Sequence, residues 1–223
     1  MNAKKCIIVS GGKLNNPDFI REQICGIGFM IAADGGVLNA YTLGIQPNIA
    51  IGDFDSIEPD ILEGLERQGV TVLRYPRNKD YSDTQLALLK AIELGFSDIT
   101  MVSALGGRID HTLANVMLLA LPEASGIKLR ILDDGQEIFL IKDEALIQGE
   151  VGLTVSLLPL SENVTGIQTS GLLYEVPQNI FVMGIPNGIS NIMTLPQAQI
   201  RIATGLLKRP GNSIKQRRQR LRR

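Results

Sequence analysis

Tryptophan is absent from this 223-residue chain, and aromatic residues make up only 4% of it. Proteins that bind single-stranded nucleic acids stack the bases on aromatic side chains, so this composition argues against such a platform. Hydrophobic residues account for 44% of the chain and charged residues for 20%, which is ordinary for a globular protein. The length allows one large domain or two small ones with a sizeable core.

Cysteines and long apolar runs are also scarce. Cys6 and Cys25 match no metal-binding spacing, which favours two free thiols in a reducing compartment. The apolar run behind Lys4 and Lys5 extends only over residues 6–9, too short for a signal peptide. No run approaches the ~20 apolar residues that a membrane span needs. We therefore expect a cytoplasmic protein without a membrane segment.

Charge is distributed unevenly. Residues 208–223 hold eight basic residues and no acidic one, so residues 1–207 carry 14 basic and 23 acidic residues, a net charge of −9. The basic tail is interpreted as a solvated, disordered extension; the alternative is an electrostatic contact with RNA or another anionic surface. The acidic body and the few aromatic residues make nucleic acid an unlikely partner.

The first 133 residues alternate between short apolar runs and helix-like segments. The runs are Cys6–Val9, Met30–Ala33, Ile49–Ile51, Val70–Leu73, Ile99–Val102 and Leu129–Leu132. The clearest helices are predicted at Asp83–Leu94, where Ser82 and Gln85 form a capping box, and at about His111–Leu121. Strands that alternate with helices and read as continuous apolar runs predict a parallel sheet covered on both faces.

After Asp134 the pattern changes to short strand-like segments separated by Gly, Pro and Asn. They are Ile138–Ile141, Leu153–Leu157, Leu172–Val176, Ile180–Met183 and Ile200–Ala203. The predicted fold class is therefore α/β: a parallel-sheet α/β domain over residues 1–134, a smaller all-β sandwich domain over residues 135–207, and the basic tail over residues 208–223.

Glycines and acids follow the predicted strands of the first domain. Such loops occur at residues 10–12, 34–36, 52–56 and 105–108. The carboxyl ends of parallel strands line the ligand crevice of an open α/β sheet, and glycine lets a backbone approach a phosphate closely. These loops predict an anionic ligand, although none has the spacing of a dinucleotide fingerprint or a P-loop.

Asp53 and Asp55 stand two residues apart after one of these strands. In an extended backbone their side chains would point the same way and would repel each other unless a cation lay between them. Mg²⁺ completed by a phosphate suits such oxygen ligands. The alternative is a pair of exposed loop acids, with Asp55 or Ser56 capping the next helix.

A second acidic pair, Asp80 and Asp83, lies at the start of the helix after Arg77 and Lys79. Stabilisation of the helix dipole would explain Asp83 well and Asp80 less well. Carboxylates for a metal beside cations for phosphate are what phosphoryl transfer requires.

The third cluster is G-G-R-I-D-H-T-L-A-N, residues 106–115. Arg108 can bind phosphate through two hydrogen bonds. Asp110 could instead cap the following helix. His111, the one histidine of the chain, could be structural, and no nucleophile elbow accompanies it.

With these clusters in this order, the sequence resembles the thiamine pyrophosphokinase family. The resemblance rests on A-D-G-G (33–36), G-D-F-D-S (52–56), K-D-Y-S-D-T-Q-L-A-L (79–88) and G-G-R-I-D-H-T-L-A-N (106–115), with the weaker G-I-S-N (188–191) and T-S-G-L-L-Y (169–174). It implies an α/β domain followed by a β-sandwich domain, and a homodimer whose active sites lie between the α/β domain of one subunit and the β domain of the other.

The implied reaction transfers diphosphate from ATP to the hydroxyl of thiamine and releases AMP. The resemblance implies Mg²⁺ on Asp53, Asp55 and Asp80 or Asp83, and Ser190, Asn191 and Asp110 facing thiamine. Arg108 and the four aspartates named for Mg²⁺ are the expected catalytic residues. Further substrate-binding residues are expected at Asp34, Gly35, Gly36, Ser56, Lys79, Thr84, Gln85, Gly107 and His111. A general base, if needed, is expected among the aspartates.

Three departures from the family pattern stand out, one of which is the tail after Leu207, which matches no part of that pattern. Ile192 follows Asn191 where members commonly have an acid, and the chain lacks a tryptophan to stack on thiamine. The alternative activities are another Mg²⁺-dependent small-molecule kinase or phosphohydrolase and, from a different class, nucleic-acid binding through the tail.

Overall fold

The computed structural model describes residues 3–124 and 126–212. The chain divides into two compact units, Met1–Asp134 and Gly135–Arg223. Within the described residues, no helix is both long enough and apolar enough to cross a membrane.

The first unit alternates strands and helices along its described part. The strands are β1 (Lys5–Val9), β2 (Met30–Ala33), β3 (Ile49–Gly52), β4 (Thr71–Arg74), β5 (Asp98–Val102) and β6 (Lys128–Asp133). The helices are α1 (Pro17–Ile24), α2 (Gly36–Thr42), α3 (Pro59–Arg67), α4 (Asp83–Glu93) and α5 (Ile109–Met117). Short 3₁₀ turns follow at Leu118–Ala120 and Pro122–Ala124.

These strands form a parallel sheet in the order β6-β5-β1-β2-β3-β4. All residues of β2, β3 and β5 are buried, as expected for strands covered on both faces. The chain runs outward from β1 to β4 and then returns to place β5 on the other side of β1. The strand order therefore reverses between β1 and β5, the position where open α/β sheets bind ligands.

Helix α4 begins where its sequence predicts. The Ser82 hydroxyl accepts a hydrogen bond from the Gln85 amide at 3.2 Å, which satisfies one of the free N–H groups of the first turn. Gly95, just after the helix, has φ +78°, a conformation that ends helices and favours glycine. Helix α5 begins at Ile109 and ends at Met117, two residues before the expected start at His111 and four before the expected end at Leu121. A 3₁₀ turn continues it over Leu118–Ala120.

The second unit is antiparallel and rich in β-structure. Its strands are β7 (Gln136–Ile141), β8 (Glu144–Gln148), β9 (Thr154–Val155), β10 (Leu158–Pro159), β11 (Asn163–Thr165), β12 (Gln168–Ser170), β13 (Ile180–Val182), β14 (Asn191–Ile192), β15 (Gln197–Arg201) and β16 (Leu207–Asn212). A 3₁₀ turn lies at Pro177–Asn179. Strand β16 pairs with β7, β9 and β10; β9 pairs with β14; β15 pairs with β8 and β12; and β11 pairs with β13. Their inward-facing side chains pack around the fully buried Phe181 and Ile200. The α/β fold class, with its β-rich second half, is confirmed.

Three details of the second half were predicted wrongly. The segment 172–176 is not a strand but makes a single bridge between Leu172 and Met193. The expected strand 153–157 shortens to Thr154–Val155. Residues 208–212, assigned to the tail, continue strand β16 because they pair with β7. The remainder of the tail, residues 213–223, lies outside the described residues.

Candidate active site

A cavity of about 740 Å³ lies at the carboxyl end of the parallel sheet, within the size range of small-molecule sites. Its lining comes from the loops after β1, β2, β3 and β5, the segment before α4, and the first turns of α4 and α5. It includes the predicted residues Asp34, Gly35, Asp53, Ser56, Lys79, Asp83, Thr84, Gly107, Arg108, Asp110 and His111. The sheet edge therefore brings most of the candidate residues of the first domain into one place.

The loops after β1 and β5 continue to pair beyond their strands. Gly12 donates its amide hydrogen to Ser103 O at 2.8 Å. A Cβ atom at Gly12 would lie only 2.4 Å from that oxygen, and one at Gly11 would lie 3.2 Å from the Gly35 Cα. These glycines are needed because the backbones of three loops approach one another closely at the floor of the cavity.

Three residues that follow strands in this region adopt left-handed backbone conformations. Asp34, Phe54 and Ser103 have φ values of 44°, 56° and 52°. Such conformations are uncommon for residues other than glycine, and they cluster at functional sites where the surrounding structure imposes them. Here they turn the chain sharply at the ends of β2, β3 and β5.

Three carboxylates meet in the cavity. Asp34, Asp53 and Asp83 each place an oxygen within 4.8 Å of the others. The Oδ1 atoms of Asp34 and Asp83 are buried without a hydrogen-bond partner. A buried carboxylate oxygen without a partner is costly, so this group requires positive charge.

Lys79 supplies part of that charge. Its ammonium lies 3.0 Å from Asp83 Oδ1, although not in hydrogen-bonding geometry for that oxygen, and 3.5 Å from Asp53 Oδ2. Its side chain is only 11% exposed. Burial alone would lower the pKa of Lys79, but the interactions with Asp83 and Asp53 outweigh it and raise the pKa.

The pKa of Asp34 is raised by burial, against the opposing hydrogen bond from the Gly35 backbone. The negative charges of Asp83, Asp53 and Asp55 raise it further. A cation bound in the group would reverse this effect because it stabilises the ionised carboxylates.

The donor set fits a divalent cation. Three carboxylates and one ammonium leave a net charge of −2, which a divalent ion neutralises. The ligands are oxygen atoms, and hard cations such as Mg²⁺ prefer a few carboxylates with water or phosphate completing the shell. Such an ion would satisfy Asp34 Oδ1, which has no hydrogen-bond partner, and would share Asp83 Oδ1 with the Lys79 ammonium.

Asp55 and Asp80 are not part of the carboxylate group in the described structure, and neither lines the cavity. Strand β3 ends at Gly52, and the left-handed Phe54 interrupts the extended backbone, so the alternation of an extended strand does not apply to Asp53 and Asp55. The Asp55 side chain is instead 46% exposed and lies 3.4 Å from Arg77. The premise of an extended D-F-D segment was therefore wrong.

An exposed ion pair lies at the start of α5. Arg108 Nη2 donates to Asp110 Oδ2 at 2.6 Å, and this hydrogen bond lowers the pKa of Asp110. Asp110 also accepts a hydrogen bond from the His111 amide at 2.9 Å. The N-cap position belongs to Arg108, without a side-chain cap, so the alternative that Asp110 caps the helix was wrong.

Two predicted residues do not line the cavity but contribute to its frame. A Cβ atom at Gly36 would lie 1.9 Å from Val9 O, so this glycine lets α2 pack against β1. Gln85 contributes the amide that Ser82 caps. Thr84, by contrast, lines the cavity, and its hydroxyl lies 3.0 Å from that of Ser10.

Ser190 and Asn191 belong to the second unit. Ser190 has φ 58° and is exposed, with its amide donating to Ser156 Oγ at 3.1 Å. The Asn191 side chain is buried and hydrogen-bonded to the backbone of Tyr174 and Ile192. The Asn191 amide is thus engaged within its own unit.

Sequence reasoning missed several residues of the site. Four of them line the cavity, namely Lys13, Tyr81, Ser82 and Asn115. Asn115 also donates a hydrogen bond to Ala104 O at 2.8 Å. Asn39 donates to Ser10 O and Gly12 O at 2.8 and 2.9 Å. The position of Lys13 directly after the Ser10–Gly12 loop could have revealed it. Asn39 gave no local signal, since its partners are distant in sequence, whereas Asn115 ends the motif 106–115 that carries part of the family resemblance.

Comparison with known proteins matches both halves of the chain. The model of the thiamin pyrophosphokinase catalytic domain matches residues 25–131, and that of the thiamin pyrophosphokinase vitamin B1 binding domain matches residues 142–207. Thiamine pyrophosphokinase of Bacillus subtilis (strain 168) is 30% identical over 206 residues, which are 90% of this chain and 94% of that protein.

Solved structures agree. The crystal structure of thiamine pyrophosphokinase from Bacillus subtilis matches with a TM-score of 0.83 and 27% identity, covering 95% of this chain and 100% of that one. Thiamin pyrophosphokinase from Candida albicans shares the fold, with a TM-score of 0.77 at 19% identity over 93% of this chain and 90% of that one. The family resemblance of the sequence is confirmed: this chain belongs to the thiamine pyrophosphokinase family.

Proposed function

We propose that this enzyme transfers diphosphate from ATP to the hydroxyl of thiamine in the cavity of the first unit. The hydroxyl oxygen forms a bond to the β-phosphorus, and the bond from that phosphorus to the oxygen bridging to the α-phosphate breaks. AMP leaves with the bridging oxygen, and the hydroxyl proton is released. The observation that carries the assignment is the meeting of Asp34, Asp53 and Asp83 beside Lys79 at the glycine-lined edge of the sheet.

We propose that Asp34, Asp53 and Asp83 hold Mg²⁺. When bound there, the ion would neutralise phosphate charge and orient the phosphates of ATP. Asp55 and Asp80, which the sequence also suggested as ligands, lie outside this carboxylate group. Lys79 fixes the orientation of Asp53 and Asp83 through its two ion pairs.

The remaining cavity residues bind and orient the substrates in this proposal. The backbones of Gly35 and Gly107 let the phosphate chain approach closely, and the hydroxyls of Ser56 and Thr84 offer hydrogen bonds. Arg108, held by Asp110, presents its guanidinium at the rim beside His111. Most of the rate then comes from positioning and electrostatic stabilisation.

We further propose a cytoplasmic homodimer in which Ser190 and the segment around Asn191 of a partner subunit complete the thiamine site. Helix α5 supports this proposal because it lines the cavity with Asp110 and His111 and also carries an exposed apolar stripe. Ile109, Leu113 and Met117 are 77%, 54% and 62% exposed. Residues spaced by four lie on one face of a helix, and a second copy of the chain is the proposed occupant of that face.

The alternative of another small-molecule kinase or phosphohydrolase is not favoured, because the family model of a vitamin B1 binding domain also matches. Nucleic-acid binding was ascribed to a tail whose residues 213–223 lie outside the described part of the chain. It has no support from the described site.

Incubation with ATP, thiamine and Mg²⁺, followed by chromatography of the nucleotides, tests the reaction. We expect AMP and thiamine diphosphate in equal amounts; ADP or free phosphate as the product would overturn the proposal. Light scattering tests the dimer. Leu113→Glu should shift the mass from dimer to monomer while Leu113→Met should not, and a monomeric parent protein would refute the partner's role.

A further inference from the structure

Four basic side chains line the cavity, namely Lys13, Arg77, Lys79 and Arg108. Arg77 and Arg108 each pair with one of the aspartates described above, and Lys79 lies between two of them. Lys13 forms no ion pair with a carboxylate in the part of the chain that the structure describes. Its positive charge is therefore available to a ligand.

The backbone of Lys13 is held in place by the loop after β5. Its amide donates to Leu105 O at 3.2 Å, next to the hydrogen bond from Gly12 to Ser103. Gly106 has no side chain, and a Cβ atom there would lie 3.2 Å from Lys13 Cβ. The backbone and Cβ of Lys13 are therefore held against this loop, which fixes the point from which its exposed side chain extends at the cavity.

The surroundings of Lys13 favour an anion. Asn39 donates its side-chain amide to Ser10 O and Gly12 O, and Asn115 donates to Ala104 O. Carbonyl oxygens that accept these hydrogen bonds are less able to repel a negatively charged ligand. Asn39 of α2 and Asn115 of α5 thus engage carbonyl oxygens of the loops after β1 and β5.

Lys13 and the carboxylate group lie over different strands. Lys13 follows β1, whereas Asp34 and Asp53 follow β2 and β3, one and two strands farther along the sheet. Adjacent strands are about 4.8 Å apart, so these positions are separated by roughly 5–10 Å along the sheet edge. A chain of phosphates is an extended anion that can bridge a lysine and a metal group at such a separation.

We propose that Lys13 binds the phosphate chain of ATP on the β1–β5 side of the cavity, opposite the part held at Asp34, Asp53 and Asp83. The inference rests on the proposed function, because it assigns a further binding residue for the same reaction. Lys13 would contact the phosphate chain directly, while Lys79 stays paired with the carboxylates of Asp53 and Asp83.

The test compares Lys13→Gln and Lys13→Arg with the control Lys5→Gln. Lys5 is an exposed lysine at the opposite, amino end of the same strand. Initial rates give KM for ATP and for thiamine, and titration calorimetry with Mg²⁺ measures the binding of inorganic tripolyphosphate, a probe without adenosine or thiamine.

Lys13→Gln should raise KM for ATP and the Kd of tripolyphosphate about tenfold, since hydrogen bonds to charged groups contribute at least this much. KM for thiamine should stay within twofold. Lys13→Arg should recover most of the loss, and Lys5→Gln should behave like the parent protein. Unchanged tripolyphosphate binding in Lys13→Gln, or an equal loss in Lys5→Gln, overturns the inference.

The two proposals can fail separately. A parent protein that makes no AMP overturns the proposed reaction, while the tripolyphosphate titration still decides whether Lys13 binds phosphate. If the parent is active and Lys13→Gln changes neither constant, the reaction stands and the role of Lys13 is refuted.

Discussion

The side-chain amide of Asn191 forms hydrogen bonds with both the backbone N–H and the backbone carbonyl of Tyr174. Asn191 Oδ1 accepts from the Tyr174 amide at 3.0 Å, and Asn191 Nδ2 donates to Tyr174 O at 2.8 Å. Oδ1 also accepts from the Ile192 amide at 2.9 Å. Asn191 is 7% exposed, whereas Tyr174 is 58% exposed. The asparagine therefore fixes an exposed aromatic segment from within its own unit.

Asn191→Ala should lower the stability of the second unit. The substitution leaves the amide and carbonyl of Tyr174 without their partner, and the loss of a buried hydrogen-bond partner costs about 1–3 kcal/mol. Urea unfolding followed by circular dichroism measures the change. Asn187→Ala is the control, because Asn187 is exposed on the same unit. Equal stability of the two variants would show that the Asn191 hydrogen bonds contribute nothing.

Local signals predicted much of the first unit because its elements depend on local chemistry. The buried runs of β2, β3 and β5 and the capped start of α4 can each be recognised within a few residues of sequence. The short strands of the second unit carry weaker patterns. The segment 172–176 looks like a strand, yet its backbone is engaged by Asn191, which lies 17 residues farther along the chain from Tyr174.

The carboxylate group of Asp34, Asp53 and Asp83 also could not be predicted from local sequence spacing. Sequence spacing favoured Asp53 with Asp55, because neighbouring acids in an extended segment would share a direction. The φ of +56° at Phe54 removes that relationship, and no local pattern announces it. Asp34 joins the group because β2 lies beside β3, which is a consequence of the sheet order rather than of spacing.

Asp34→Asn and Asp83→Asn should each lower turnover roughly 100-fold or more, because loss of even an outer-shell partner of a metal costs 10–100-fold. Asp80→Asn should cost less than Asp83→Asn, since Asp80 lies outside the carboxylate group. Initial rates at several Mg²⁺ concentrations provide the measurement. Equal losses for Asp80→Asn and Asp83→Asn would contradict the assignment of the group.

Thermal unfolding of the same variants separates binding from folding. Asp34→Asn should be at least as stable as the parent protein without Mg²⁺, because it removes one of several repelling charges from a partly buried position. It should lose the stabilisation that Mg²⁺ gives the parent. Asp60→Asn, at the exposed start of α3, serves as the control and should keep that stabilisation. A variant of Asp34 that unfolds at every Mg²⁺ concentration would make this residue structural.

The two thiols should differ sharply in reactivity. Cys6 is fully buried in β1, and burial raises the pKa of its thiol to about 12, whereas Cys25 is exposed. The thiolate is the reactive form, so at pH 8 a chromogenic disulfide reagent should titrate one thiol per folded chain and two in denaturant. Cys25→Ser should reduce the folded value to zero. Rapid reaction of two thiols in the folded protein would contradict the burial of Cys6.

Asp133 should make the protein less stable as the pH rises from 4 to 6. Burial, with a further contribution from the charge of Asp134, raises the pKa of Asp133 to about 6. The unfolded chain releases this proton near pH 4, so between these values only the folded state keeps it. The free energy of unfolding therefore falls as the pH rises through this window. Above it, the loss of stability caused by Asp133 stays constant.

Asp133→Asn removes that ionisation while keeping the shape of the side chain. The unfolding free energy of the variant minus that of the parent should therefore increase from pH 4 to 6 and then level off. Urea titrations at unit pH intervals between 4 and 8 measure it. Glu22→Gln, which changes an exposed carboxylate of the same unit, is measured alongside as the control. A flat difference for Asp133→Asn would mean that its carboxyl group titrates alike in the folded and unfolded chains, because a residue with no change in pKa on folding adds nothing to the pH dependence of stability.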